Sequence, residues 1–362
     1  VIHVNIPNRA IHLTGSGVSA LATVRLLGPN VGPFLTAHFS RQAQPGGLVH
    51  GELRDESGVI DDPVVALAPD SSYVDITLHG GVWVVQSLLE LAKRAGFLLV
   101  NGDDHPRMCF PESPNEVDAE VRVALPRART ERAVRTVLAQ EVAWRELLAS
   151  RPDRASIEIV LGDHSLQHLL HPPTVAIIGL PNAGKSTLAN QLFGTERSIV
   201  SPVAGTTRDW VGEEANLDGL IVKLLDTPGR HETDDPIERQ AIAQSDSPVS
   251  QANLVIVLMD CTVDDPRQYA LRSRYPDALA ILNKIDHPEA KFNDSHAAKL
   301  RASAISAETG EGLSALVADI HARFGIGRRP AIAPRWWTDR QRQVLERSVQ
   351  DPSHLATIFA AT

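Results

Sequence analysis

The rhythm of apolar and polar positions changes along this chain. Directly after Pro172-Pro173, residues 174–179 form a short β-branched apolar run, which predicts a buried strand. A glycine-containing loop follows, and residues 186–193 then place Leu188, Leu192 and Phe193 at helical spacing. Apolar runs recur at 220–225, 254–259 and 278–282, each ending in a polar residue, with helical patterns between them, including 312–323. Strands alternating with helices predict βαβ units, so residues 173–327 read as an α/β domain with a mostly parallel sheet and helices on both faces.

The first 114 residues have a different texture. Strand-like runs at 22–27, 64–67 and 73–78 are separated by turn-rich stretches such as Gln44-Pro45-Gly46-Gly47. A helical run over 82–95 follows His79-Gly80-Gly81 and is closed by Gly96, the usual residue just past a helix end. This predicts an N-terminal α+β domain. Residues 115–149 read as helical, with Pro126 splitting one helix from a second that Thr130 caps. Thr338-Asp339-Arg340-Gln341 has capping-box spacing ahead of Val344, Leu345 and Val349, so the tail supplies one more helix. Residues 115–172 and 328–362 would then pack together as a reduced helical domain with the α/β domain inserted between them.

Composition narrows the class. The net charge is −9, concentrated as −7 in residues 173–327 and reversed to +3 in 328–362. A nucleic-acid contact would therefore be local, at the tail or the arginines of 122–135. No run of about eighteen apolar residues predicts a membrane span. No secretory leader pattern opens the chain. Cys109 and Cys261 cannot make a disulfide framework, and a cytoplasmic protein with no membrane partner is expected. Because the chain starts at Val1, the natural start is expected upstream.

The chemistry is carried by four motifs. Gly179-Leu180-Pro181-Asn182-Ala183-Gly184-Lys185-Ser186 fits the phosphate-binding loop, between a predicted strand and a predicted helix as that motif requires. Its backbone N–H groups and the helix N-terminus suit phosphate, Lys185 the β and γ phosphates, and the Ser186 hydroxyl a magnesium ion. A chance glycine turn is the bland alternative. Asp226-Thr227-Pro228-Gly229 follows the 220–225 strand, where Asp226 can hold the magnesium shell. Asn283-Lys284-Ile285-Asp286 follows the 278–282 strand. A carboxylate there accepts from the ring N–H and the amino group of guanine, whereas adenine presents an acceptor at that ring position. Discrimination of this kind reaches about 10⁴. Ser306-Ala307 would supply a backbone contact to the guanine carbonyl. The nucleotide set is then Asn182, Ala183, Gly184, Lys185, Ser186, Thr187, Asp226, Gly229, Asn283, Lys284, Asp286, Ser306 and Ala307, with GTP or GDP as ligand.

With these motifs in order, the α/β domain resembles a translation-factor-class GTPase. Gly205-Thr206-Thr207-Arg208-Asp209 resembles the first switch of the Era, Der and MnmE (TrmE) GTPases. His79-Gly80-Gly81 before an apolar helix, and Arg129-Thr130-Glu131-Arg132-Ala133, resemble the N-terminal and helical parts of the MnmE family. The resemblance implies a tetrahydrofolate-binding N-terminal domain and a helical domain interrupted by the G domain. Arg230 stands where Ras-like enzymes carry a water-orienting glutamine, and an unassisted site of that kind turns over less than about once per minute. The resemblance implies potassium in place of an arginine finger, with dimerisation through G domains. Asn182, Ser201, Val203 and Thr206 match its potassium ligands, Thr207 the switch magnesium ligand beside Ser186 and Asp226, and Glu238 the water-orienting glutamate. Catalysis would fall to Glu238, Asn182 and Lys185. The bland alternatives are a bond from Asn182 to its own loop backbone, as asparagines in turns make, and a solvated helix position for Glu238.

Some positions depart from the family. Its members that modify tRNA end in Cys-Ile-Gly-Lys, whereas this chain ends Phe359-Ala360-Ala361-Thr362, which reads as a shortened member. Residues 111–116, Pro-Glu-Ser-Pro-Asn-Glu, stand at the family's Asn-Gly-Lys-Leu-Asp-Leu and are expected to disturb an ordered helix start. Both departures weigh against a tetrahydrofolate cofactor. Three outputs stay open: wobble-uridine modification of tRNA with an MnmG-like partner, a regulatory GTP/GDP switch acting through partner binding, and a ribosome-associated role. His164, His168 and His171 are expected to be surface histidines of a linker rather than metal ligands, and Trp336-Trp337 to pack the tail.

Overall fold

A computed structural model of the chain describes residues 7–15, 19–102, 106–194, 213–225, 247–291 and 300–360. The N-terminal region is built from β1 (Arg9–His12), β2 (Leu21–Leu27), α1 (Val31–His38), β3 (Leu48–His50), β4 (Leu53–Asp55), β5 (Gly58–Asp61), β6 (Val64–Leu67), β7 (Tyr73–His79), α2 (Val82–Arg94) and β8 (Leu98–Leu99). Its six-stranded sheet has the order β3-β6-β7-β2-β1-β8, antiparallel except for the β1–β8 edge. In β7 the period is two: Val74, Ile76 and Leu78 are buried and meet Val85, Leu88 and Leu91 from one face of α2. Gly96 closes α2 as its sequence position predicts, with φ +87° and the paired bonds of a Schellman turn, Gly96 N–H to Lys93 and Phe97 N–H to Ala92.

The opposite face of β2 carries a buried charge. Arg25 is the direct register partner of Asp75 and donates to both its carboxylate oxygens at 2.7 and 2.8 Å. The same guanidinium reaches the Cys109 carbonyl at 2.7 Å and Glu112 at 3.2 Å, and lies 3.9 Å from the Tyr73 ring centroid. It thus ties the first sheet to α3 (Pro106–Cys109), where the helical region begins.

The helical segments are α4 (Glu116–Ala124), a 3₁₀ turn at Leu125–Arg127 around Pro126, α5 (Glu131–Leu138), α6 (Gln140–Ala149), α7 (Arg154–Leu161) and α8 (Ser165–Leu170). Thr130 caps α5 as expected, accepting from the Ala133 N–H. Two expectations are corrected here. The start of α4 is ordered, because Asn115 after Pro114 accepts from the Asp118 N–H at 2.9 Å and so replaces the missing first-turn partner. The 164–171 stretch is a helix, not a linker: Leu166, Leu169 and Leu170 are buried, and the His164 and His168 rings meet Trp336 and Phe324 edge-on at 5.0 and 4.9 Å. Burial pushes the His168 pKa down.

The second sheet alternates with helices. Its elements are β9 (Thr174–Ile178), α9 (Lys185–Gly194), β10 (Glu213–Leu217), β11 (Leu220–Leu225), α10 (Ser247–Ser250), β12 (Leu254–Asp260), α11 (Pro266–Arg274), β13 (Leu279–Asn283), β14 (Ala302–Ala304) and α12 (Leu313–Arg323). The order is β10-β11-β9-β12-β13-β14, parallel apart from the β10–β11 hairpin. Val175-Ala176-Ile177 and 256–259 are buried without alternation, as expected when a parallel strand is covered on both faces. The hairpin tip, Asp218-Gly219, has positive φ at both positions. The Arg129-Thr130-Glu131-Arg132 stretch grips this tip: Arg129 forks onto Glu214, Thr130 donates to the Gly219 carbonyl at 2.8 Å, and Arg132 meets the Asp218 carbonyl and carboxylate at 3.1 and 3.0 Å.

The tail returns to the helical segments. Trp336 and Trp337 are buried, and the Trp336 indole N–H donates to the Leu161 carbonyl at 2.9 Å. Helix α13 (Asp339–Gln350) begins at the expected cap, with Thr338 accepting from the Gln341 N–H; Gln341 in turn accepts from the Trp337 N–H rather than that of Thr338. The Glu120 carboxylate on α4, 1 % exposed, collects Thr338, Arg340 and Gln341 at 2.7 to 2.9 Å. Glu120→Gln keeps the volume but removes the charge and one acceptor from Arg340. It is expected to lower unfolding stability by about 1–3 kcal/mol, read from the urea midpoint, while Arg122→Ala on the exposed side of α4 stays within about 0.5 kcal/mol. No helix among the described residues is long and apolar enough to cross a membrane.

Candidate nucleotide site

Parallel strands bring their C-terminal ends to one edge, the usual location of ligands in open α/β sheets. Here that edge gathers the loops after β9, β12, β13 and β14. The loop after β9 is shaped by glycines that admit no side chain. A Cβ on Gly179 would lie 2.4 Å from the Leu258 carbonyl oxygen, and one on Gly184, where φ is +96°, 2.3 Å from Asn283 Nδ2. Asn182 is also left-handed, with φ +63°, a conformation asparagine tolerates better than most residues.

Lys185 opens α9, and its ammonium donates to the Gly179 and Leu180 carbonyls at 3.1 Å each. Burial pushes its pKa down, with no carboxylate among the described residues to counter the effect. A desolvated cation over a loop of N–H groups at a helix N-terminus is arranged to receive an anion. Ser186 is exposed and Thr187 half-buried in the first turn of α9.

The base-side motifs interlock with this loop. Asn283, 2 % exposed at the end of β13, donates from Nδ2 to the Ala183 carbonyl at 2.8 Å and accepts the Ala307 N–H at 2.9 Å. One amide thereby fixes the phosphate loop and the Ser306-Ala307 loop in a common frame. Ser306 is fully buried, its hydroxyl accepting from the Thr309 N–H at 3.0 Å and its N–H bound to the Glu311 carbonyl. Asp286 is exposed and has no hydrogen-bond partner among the described residues, so its carboxylate is available to a base. Lys284 takes φ +70° and pairs with Asp260 at 2.6 Å. Burial raises the Asp260 pKa, but the bonds from Lys284 and Thr262 more than reverse this, and it is lowered overall. Sequence reasoning missed Asp260, although it is the polar residue that ends the 254–259 run.

The structure therefore brings together Asn182, Ala183, Gly184, Lys185, Ser186, Thr187, Asn283, Lys284, Asp286, Ser306 and Ala307. Ser201, Val203, Thr206, Thr207, Asp226, Gly229 and Glu238 lie outside the described residues. For magnesium, Ser186 offers a hydroxyl without a hydrogen bond among the described residues, a hard oxygen donor that fits the ion. For potassium, Asn182 is exposed, and its amide has no hydrogen bond among the described residues.

A reduced folate fits the N-terminal region poorly. Its pterin needs a carboxylate, and the sheltered ones among the described residues are engaged: Asp75 by Arg25, Asp61 by the backbone N–H and the ring of His79 at 2.8 and 2.7 Å, and Asp55 by the Ser57 N–H at 2.8 Å and by Arg94.

Comparison with known proteins agrees with this geometry. Residues 174–288 match a family described as 50S ribosome-binding GTPase. Curated proteins named tRNA modification GTPase MnmE are similar over most of the chain. That of Symbiobacterium thermophilum is 30 % identical over 366 residues, covering 85 % of this chain and 80 % of its own length. The Chlorobium chlorochromatii protein is 31 % identical over 370 residues, with 84 % and 78 % covered. The Chloroflexus aurantiacus protein is 28 % identical over 392 residues, with 93 % and 86 % covered.

Proposed function

We infer the function from the premise that this chain belongs to the MnmE family of tRNA modification GTPases: it binds GTP and hydrolyses it to GDP and phosphate. The observation that carries this reading furthest is the Asn283 amide, which locks a phosphate loop to a guanine-reading loop. In the reaction water attacks the γ-phosphorus, a new P–O bond forms as the bond to the β-phosphate oxygen breaks, and the proton leaves with the phosphate. The N–H groups of Gly184, Lys185 and Ser186 and the Lys185 ammonium hold the β and γ phosphates, and this charge stabilisation carries most of the catalysis in phosphoryl transfer. Glu238 orients the water. Ser186, Thr207 and Asp226 would hold magnesium, and Asn182, Ser201, Val203 and Thr206 potassium; bound there, the two cations supply positive charge where negative charge develops.

The finer reading is that of a cytoplasmic homodimer joined through G domains, acting on the tRNA wobble uridine with an MnmG-like partner. The family name of the relatives supports the tRNA assignment. The architecture would be an N-terminal unit over 1–114, a helical unit over 115–172 and 328–362, and a G domain over 173–327. GTP turnover in potassium against sodium tests the cation reading. Wild type is expected to be about tenfold or more faster in potassium, and Asn182→Ala to lose that difference while binding GDP within a few fold of wild type. Equal wild-type rates in the two salts would remove potassium from the mechanism and leave the GTPase reading standing.

A further inference from the structure

Asp260 ends β12 as the register partner of Asn283 and is 9 % exposed, yet no nucleotide motif includes it. Its carboxylate is held from three sides. Oδ2 accepts from Lys284 Nζ at 2.6 Å, and Oδ1 accepts the N–H and hydroxyl of Thr262 at 2.9 and 2.6 Å. The backbone behind it is fixed by Gln268, 4 % exposed on α11, which accepts the Asp260 N–H and donates to the Asp260 and Val263 carbonyls at 3.2 and 3.1 Å. Rotating this carboxylate would break its bonds to both Thr262 and Lys284.

The residue it restrains stands between two groups of the base site. Lys284 follows Asn283, which joins the loops, and precedes by two positions Asp286, which is exposed and unpaired among the described residues. A free lysine ammonium beside a free carboxylate is drawn to it, and a long, four-bond side chain can reach it. Such a pairing would occupy the oxygens that a guanine ring N–H and amino group need. An anchor on the β12 side prevents it.

We propose that Asp260 is a positioning residue for guanine recognition: by holding the Lys284 ammonium on the β12 side, it keeps the Asp286 carboxylate open to the base. Thr262 acts behind it by fixing the carboxylate, and Gln268 by fixing the Asp260 backbone. The proposal rests on the guanine reading of Asn283–Asp286 and concerns affinity for the nucleotide, not the hydrolytic step.

The test uses the full chain, with GDP binding by calorimetry and GTP kinetics in magnesium and potassium. Asp260→Asn is expected to raise the GDP Kd and the GTP KM about tenfold, the scale of one charge-assisted hydrogen bond, with kcat within about twofold. In a Lys284→Met background the same substitution is expected to change the Kd by less than about twofold, because no ammonium is left to restrain. An unchanged Kd, or an equal penalty in both backgrounds, would overturn the proposal and assign Asp260 to strand packing. If Asp260→Asn does not fold, Thr262→Val removes only the hydroxyl bond. It should raise the Kd in the same direction by about threefold, and no change would overturn the proposal. Failure of the guanine reading is seen separately, as Asp286→Asn leaving the base preference unaltered.

Discussion

Lys185→Ala is expected to lower GTP turnover by about 10²–10³-fold, the scale of removing one preorganised charge from a reaction that builds negative charge. Among the described residues the wild-type ammonium rests on two carbonyl oxygens of its own loop. It therefore makes its strongest interaction only when phosphate arrives, and a larger one as charge spreads over the transferring group. The same substitution should not destabilise the nucleotide-free chain, since it removes a half-buried cation that has no counter-charge among the described residues. The sign of the pH dependence follows. Folding lowers the Lys185 pKa, so the unfolded chain binds this proton more tightly. Wild-type stability without nucleotide should rise with pH from the lowered value up to the ordinary lysine value. Lys185→Ala should lack that contribution. Steady-state GTP turnover and urea unfolding between neutral and alkaline pH check the two halves; a variant that loses activity only because it unfolds would contradict them.

What was legible in the sequence was local. The phosphate loop is a fixed spacing of glycines, lysine and serine between an apolar strand and a helix, and β9 and α9 fall where that spacing requires. Gly96 and Thr338 announce a helix end and a helix start through their immediate neighbours, and both act as expected. The entry to α4 departs from expectation because Pro111 and Pro114 mask the capping side chain of Asn115. Helix α8 was missed because histidines at 164, 168 and 171 interrupt the apolar periodicity, and its burial depends on Phe324 and Trp336, far along the chain.

Contacts between distant segments were beyond any spacing rule. Glu120 and Arg340 are separated by 220 positions, Arg25 and Glu112 by 87, and Asp260 and Lys284 by 24. Each is a charge sheltered by the fold, and its partner exists only once the strands and helices have been ordered in space. The β10–β11 hairpin makes the same point. Asp218-Gly219 was available as a turn signal, but its grip by Arg129, Thr130 and Arg132 required the two regions to meet. The Arg-Thr-Glu-Arg stretch therefore supports a resemblance in the sequence and has a mechanical role in the fold.

The second large effect lies at Asp286. Its carboxylate is exposed, has no partner among the described residues, and follows Asn283 at the spacing that joins the base loop to the phosphate loop. A carboxylate accepts the two guanine donors, the ring N–H and the amino group. Asparagine in its place accepts one hydrogen bond and donates one, which mismatches the guanine amino group and matches the 2-oxo group of xanthine. Two charge-assisted bonds are at stake, so the loss of guanine affinity should be about a hundredfold or more. Compensation should be reciprocal, because the xanthine 2-oxo group faces an acceptor oxygen in wild type and a donor N–H of the amide in the variant.

The measurement that bears most directly on the account is the affinity of Asp286→Asn for GDP and for xanthosine diphosphate, by calorimetry with magnesium on the full chain. The predicted result is GDP binding weakened by about a hundredfold or more, with xanthosine diphosphate bound better than GDP. If the variant bound GDP as wild type does, or bound neither nucleotide while remaining folded, the guanine-reading site built on Asn283, Lys284 and Asp286 would be contradicted.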